Sequence, residues 1–147
     1  LPATLDGKPF KQAVMEPTRL YVKNVLAALA AHPHSEDAAA PGGIKALAHI
    51  TGGGLLENIP RVLPEGTAAH LQKGSWPQTE LFAWLQQTAG IDDTEMNRTF
   101  NNGIGMVVVV DALQAQTIAA TLRAAGEQVY TIGAIAPLGD GAAVVVA

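Results

Sequence analysis

Apolar residues recur at Val22, Val25, Leu26 and Leu29, the i, i+3, i+4, i+7 spacing of one helical face. Glu16-Pro17-Thr18 reads as the start of that helix, because proline is tolerated in a first turn, and His32-Pro33 reads as its end. The residues before it, Leu1 to Glu16, read as an extended lead-in broken by Pro2, Gly7 and Pro9. From Ile44 the period changes to two: Ile44, Ala46, Ala48 and Ile50 fall on one face and Lys45, Leu47 and His49 on the other, which predicts a strand. Pro33 to Gly43, small and polar with an Ala-rich patch at Ala38 to Ala40, reads as a loop between the two.

Gly52-Gly53-Gly54 follow the strand and lead into a short helix, Leu55 to Ile59, stopped near Pro60. Thr67 to Leu71 predicts a short strand. Ser75-Trp76-Pro77 opens a helix whose stripe is Leu81, Phe82 and Leu85 and whose end is Gly90. Asp92 and Glu95 have the spacing of a capping box, and Asn102-Gly103 is a turn signal. Ile104 to Val110 is a β-branched, apolar run expected to form a buried strand. Asp111 caps a helix running to about Ala125 and closing at Gly126. Gln128 to Ala136 and Ala142 to Val146 read as strands around Gly139-Asp140-Gly141, paired as a hairpin. Strands that alternate with helices and end in a hairpin place the chain in the α+β class, with a mixed sheet layered by helices and no internal domain boundary.

Charge and composition remove several functions. The net charge is −4, and the nine Lys and Arg are scattered without a basic run. The footprints of a nucleic-acid binder and of a polybasic membrane patch are therefore missing. There is no Cys, which excludes disulfides and thiolate chemistry and fits a cytoplasmic setting. The longest aliphatic stretch, Ile104 to Val110, is far short of a membrane span. Charged residues make up only 15% of the chain, so some apolar surface is expected to be covered by a partner. The chain opens on Leu1 rather than Met, which reads as a piece of a longer protein.

The strongest candidate for chemistry is His49-Ile50-Thr51-Gly52-Gly53-Gly54. Glycines let a backbone approach a ligand closely, and a helix start offers unpaired N–H groups and a positive dipole end to a phosphate or carboxylate. Thr51 adds a hydroxyl and His49 a proton donor or acceptor; Asn58 and Arg61 lie one and two turns on. No Gly-Lys-Ser/Thr follows, so this is not a Walker A loop, nor is it the Rossmann glycine pattern. The competing reading is a tight turn with a satisfied core histidine. Phe100 to Met106 is a second candidate, a backbone wall with Asn101 supplying its amide; taken alone it reads as an Asn-Gly turn into a core strand. Arg19 and Lys23, at i and i+4, form either a cationic patch or a solvated helix face. Trp76, Phe82 and Trp84 read as core, and His32, His34 and His70 have no metal-ligand spacing.

Several of these segments, in order, resemble the C-terminal domain of the AIR synthetase family, the phosphoribosylformylglycinamidine cyclo-ligases. They are Glu16-Pro17-Thr18-Arg19-Leu20-Tyr21-Val22-Lys23, the stretch from Ala46 through the glycines to Asn58-Ile59-Pro60-Arg61 and Pro64, Gly74-Ser75-Trp76-Pro77, Arg98-Thr99-Phe100-Asn101, Gly103-Ile104-Gly105-Met106, and Val129-Tyr130-Thr131-Ile132-Gly133. The resemblance runs from about Leu5 to the end of the chain and implies a layered α/β/α domain with a mixed sheet, partly ferredoxin-like. Residues 1–16 are then a lead-in from an N-terminal ATP-binding domain, and 17–147 the C-terminal domain.

The resemblance also implies a reaction of purine biosynthesis. ATP activates the formyl oxygen of formylglycinamidine ribonucleotide and an amidine nitrogen closes the ring to aminoimidazole ribonucleotide. ATP and Mg2+ are expected mainly on the N-terminal domain, which also forms a homodimer. His49 and Thr51 are expected to orient substrate or move a proton. Gly52, Gly53, Gly54, Asn58, Arg61, Arg19 and Asn101 are expected to bind substrate or phosphate at the interdomain cleft. Formylglycinamidine synthase, selenophosphate synthetase and thiamine-monophosphate kinase share the two-domain plan and are the nearest alternatives; a phosphometabolite-binding module without catalysis is the alternative from another class.

Overall fold

The computed structural model describes residues 1–37 and 42–147; the Ala-rich patch at Ala38 to Ala40, in the middle of the expected loop, lies outside the described residues. The chain opens on a small hairpin, β1 (Thr4–Leu5) and β2 (Lys8–Pro9), and a short helix, α1 (Phe10–Val14), where an extended lead-in was expected. Asp6 and Gly7 turn the hairpin with φ of 51° and 71°. Two successive positive φ angles are what a two-residue hairpin turn requires, and Asp-Gly is a sequence that supplies them. The Asp6 carboxylate then accepts from the Glu80 and Leu81 N–H groups at 2.7 and 3.2 Å, which fixes the lead-in to a later helix.

The next helix, α2 (Val22–Ala31), begins at Val22 and not at Pro17. Arg19 therefore precedes the helix and does not share a helical face with Lys23. The expected stripe is divided: Leu29 packs against the core beside the fully buried Ala28, whereas Val22 and Leu26 are 68% and 59% exposed.

β3 (Ile44–His49), α3 (Gly54–Asn58), a 3-10 turn at Pro60–Val62 and β4 (Thr67–Leu71) follow, close to their expected positions. α4 (Glu80–Ala89) starts later than Ser75, because Thr79 is its cap: its hydroxyl accepts from the Phe82 N–H at 3.4 Å, and Gly90 ends the helix with φ of 63°. α5 (Asp93–Thr99) is capped as expected by Asp92, which accepts from the Glu95 N–H at 2.8 Å. β5 (Met106–Val110), a 3-10 turn at Ala112–Gln114 capped by Asp111, α6 (Ala115–Ala124), β6 (Gly133–Pro137) and β7 (Val144–Val146) complete the order.

The α+β class with a mixed sheet is as expected, and the pairing within it differs at two points. β3 pairs antiparallel with β5, with Leu47 opposite Val108 and His49 opposite Met106, and the register shifts between Ile44 and Ala46. That bulge places Ile44 opposite Val110, so it leaves the face of Ala46, Ala48 and Ile50. Ile44 joins Leu47, Val108 and Val110 against Ala28 of α2 and Ile118 and Leu122 of α6, while Ala48 and Ile50 pack with Leu55, Ile59, Ala69 and Ile104 in the other core. β5 is half-buried along its length where full burial was expected, because among the described residues it pairs with β3 alone and keeps a free edge.

The second sheet has the order β6-β4-β7, so β6 and β7 are not hairpin partners. β4 lies between them, antiparallel to β6 and parallel to β7. The connection between them must cross two strand spacings, about 10 Å, which the residues from Leu138 to Ala143 span easily. β4 takes the centre because Ala68, Ala69 and Leu71 are all buried.

Candidate functional site

α2 runs antiparallel to β3 across one face of the β3–β5 ribbon. At one end the Ile44 N–H donates to the His32 carbonyl at 3.3 Å; at the other Tyr21, just before α2, meets His49, just at the end of β3. A cavity of about 520 Å³ opens there, lined among others by Arg19, Tyr21, His49, Thr51, Asn101 and Gly105. Four predicted residues, His49, Thr51, Arg19 and Asn101, are thus brought together from segments up to 82 positions apart (Arg19 to Asn101). His49 and Thr51 are exposed, and neither side chain is hydrogen-bonded within the described residues.

The other predicted residues stand behind this cavity. Asn58 is buried, and its amide nitrogen donates to the carbonyls of Thr51, Gly52 and Gly54 at 3.3, 3.2 and 2.8 Å. Arg61 in turn donates to the Asn58 amide oxygen at 3.4 Å. Both hold the glycine turn in shape, and neither they nor Gly52, Gly53 and Gly54 line the cavity, whose wall reaches the turn only at Thr51. Asn58→Ala is expected to cost about 1–3 kcal/mol, because it removes the donor shared by the buried Gly54 carbonyl and those of Thr51 and Gly52; chemical denaturation of the variant checks this.

The glycines themselves divide. Gly54 has φ of +57°, and a Cβ there would lie 2.1 Å from the Asn97 carbonyl oxygen at the end of α5. Gly53 has φ of +99°, with a Cβ 2.9 Å from Glu57. A Cβ on Gly52 would meet nothing within 4 Å, and its φ needs no glycine. Packing and conformation account for Gly53 and Gly54; neither accounts for Gly52, the exposed glycine next to Thr51.

Arg19 is held by Glu127, whose carboxylate accepts from its Nε at 2.9 Å, and by the Gly126 carbonyl at 3.1 Å from its Nη2. The same carboxylate accepts from Asn24 at 2.6 Å. Asn101 turns the chain toward β5, its side-chain oxygen accepting from the Gly103 N–H at 2.9 Å. Gly105 and Gly103 line the cavity within the Phe100–Met106 segment that the sequence offered as a backbone wall, whereas Tyr21 and Glu127 were not singled out by sequence as members of this site. Burial first, then the Glu127 carboxylate, push the Tyr21 hydroxyl above its usual range, and the Arg19 guanidinium opposes them.

Comparison with known proteins gives a consistent picture. Residues 2–146 match the family model described as AIR synthase related protein, C-terminal domain. The chain is 83% identical over 145 residues to a phosphoribosylformylglycinamidine cyclo-ligase of Polaromonas sp. and 82% identical over 145 residues to that of Albidiferax ferrireducens, in each case covering 99% of this chain and 39% of the relative. A protein of the same name from Bordetella petrii is 58% identical over 137 residues, 93% of this chain and 37% of its own length. The chain therefore spans well under half the length of these relatives.

Proposed function

The chain belongs to the family of AIR synthase related proteins, C-terminal domain, and from that premise we propose that it is the C-terminal part of an ATP-dependent cyclo-ligase of purine biosynthesis. The reaction is closure of formylglycinamidine ribonucleotide to aminoimidazole ribonucleotide. The observation that carries this reading to the site is the meeting of His49, Thr51, Arg19 and Asn101 around one cavity beside the glycine turn.

In this reading the cavity holds the substrate. Arg19 at the cavity wall takes its phosphate together with the exposed Gly52 backbone, which lies outside the lining but next to Thr51; Asn101 gives polar contacts, Thr51 orients the amidine, and His49 moves the proton that ring closure releases. Asn58, Arg61, Gly53 and Gly54 act by shaping the turn. ATP with Mg2+ supplies the activation of the formyl oxygen. Among the described residues no three His, Asp or Glu side chains gather as a metal-ligand set; in this reading the nucleotide and its Mg2+ sit mainly on an N-terminal domain. The exposed Leu20, Val22 and Leu26 are apolar surface of the kind such a domain covers. A homodimer in the cytoplasm completes the proposal. No helix among the described residues is long and apolar enough to cross a membrane.

Calorimetric titration of the two-domain enzyme with formylglycinamidine ribonucleotide tests it. Saturable binding is expected, weakened about tenfold or more by Gly52→Val with no change in melting temperature. No saturable binding sinks the substrate assignment; equal binding by Gly52→Val removes the glycine turn from the site.

A further inference from the structure

Three distant segments converge on one side chain that the reading above leaves without a task. The Tyr21 and His49 rings meet edge to face, with centroids 5.9 Å apart and planes at 72°. The Tyr21 hydroxyl rests against the backbone of Gly105 so closely that a Cβ there would lie 1.9 Å from it. Gly105 is itself fixed opposite the end of β3, because its carbonyl accepts from the Ile50 N–H at 2.9 Å, one step beyond the His49–Met106 pair. The absent side chain at residue 105 is thus a notch in the β3–β5 ribbon, filled by the phenol.

The other side of Tyr21 is anchored as well. Its neighbours Arg19 and Asn24 both donate to the Glu127 carboxylate, which is largely buried. The segment before α2 is therefore tied to the turn after α6, and the ring between them has little freedom. Tyr21 lines both the 520 Å³ cavity and a second of about 290 Å³.

We propose that Tyr21 is a positioning residue: seated in the Gly105 notch, it fixes the His49 imidazole at the mouth of the cavity. This rests on His49 being the proton-transfer group, and its own consequence is separable from that reading. An edge-to-face pair favours one relative placement of the two rings, which biases an otherwise exposed imidazole toward one rotamer. A misplaced catalytic group loses rate more than it loses binding, because orientation matters most in the transition state.

The test uses the two-domain enzyme with histidine labelled for NMR at Cε1. In Tyr21→Leu the His49 resonance is expected to move as the aromatic ring current is lost, and kcat to fall about tenfold while KM changes by less than about threefold. Tyr21→Phe keeps the ring and is expected to recover most of both. Gly105→Ala expels the phenol and is expected to reproduce Tyr21→Leu. A His49 resonance that stays in place in Tyr21→Leu overturns the proposal, even where His49→Ala abolishes turnover. So does a Tyr21→Leu enzyme that loses melting temperature with kcat intact. A fully active His49→Ala enzyme overturns the catalytic reading of His49 instead, and the resonance still reports whether Tyr21 holds it.

Discussion

Gly54→Ala is expected to destabilise the domain by about 2–5 kcal/mol. Two independent costs add. An L-residue held at the φ of +57° found there is left-handed, which costs about 1–2 kcal/mol. The new methyl would also lie 2.1 Å from the Asn97 carbonyl oxygen and 2.7 Å from that of Phe100. Both are backbone atoms at the end of α5, so relief requires α3 and α5 to separate, an overpacking cost of about 1–3 kcal/mol. α3 carries Leu55, which is fully buried in the main core, so separation spreads. Against a typical domain stability of about 5–15 kcal/mol the loss is large. Gly52→Ala is the internal control: same turn, same added methyl, no contact within 4 Å, and an expected change within about 0.5 kcal/mol. Urea unfolding of both variants checks the pair. Equal midpoints would mean that the turn is not packed against α5 as described.

The contrast also shows what sequence can and cannot reveal about a glycine run. Written in a row, Gly52, Gly53 and Gly54 look alike, and a phosphate-cradling loop explains all of them. The structure separates them by what each faces: Gly54 meets the end of α5, some forty residues later, Gly53 meets Glu57, and Gly52 meets nothing. Asn58 and Arg61 follow the same logic. Their spacing from the glycines places them near a ligand, yet their hydrogen bonds run back to the turn and to each other.

Features set by neighbouring residues were legible. Asp92, Asp111 and Gly90 cap where their spacing said they would, since a cap needs only the adjacent N–H groups or a tolerated φ. Features set by distant partners were not. Pro17 permits a helix start, but the segment to Tyr21 is held outside the helix by Glu127, more than a hundred positions away from Arg19. The bulge that moves Ile44 between cores exists only against β5, and the spacing of β6 and β7 carries no trace of β4 between them. Asp6-Gly7 is the exception: its hairpin signal is local, two successive positive φ angles on an Asp-Gly pair, and the prolines on either side mask it. Tyr21 was hidden for the same reason as α2's true start, because its partners, His49 and Gly105, are joined to it only by the fold.

His49→Ala is expected to lower turnover of the two-domain enzyme by about 10²–10⁴-fold, the usual worth of a positioned proton-transfer group. Stability should change by no more than about 1 kcal/mol, because the ring is exposed, makes no hydrogen bond among the described residues and gives up only its contact with Tyr21. The division between kcat and KM identifies the role. A fall in kcat with KM nearly unchanged places His49 in the transition state, as a proton carrier. A rise in KM with kcat unchanged makes it a binding contact, equivalent to Asn101. Thr51 separates from it in the same assay: its hydroxyl can orient but has no suitable acidity to exchange a proton at neutral pH, so Thr51→Ala should cost less than His49→Ala and act more on KM. If His49→Ala retains full turnover, the proton leaves the closing ring by another route, to solvent or to a group on the N-terminal domain, and the cavity's part is reduced to holding the substrate.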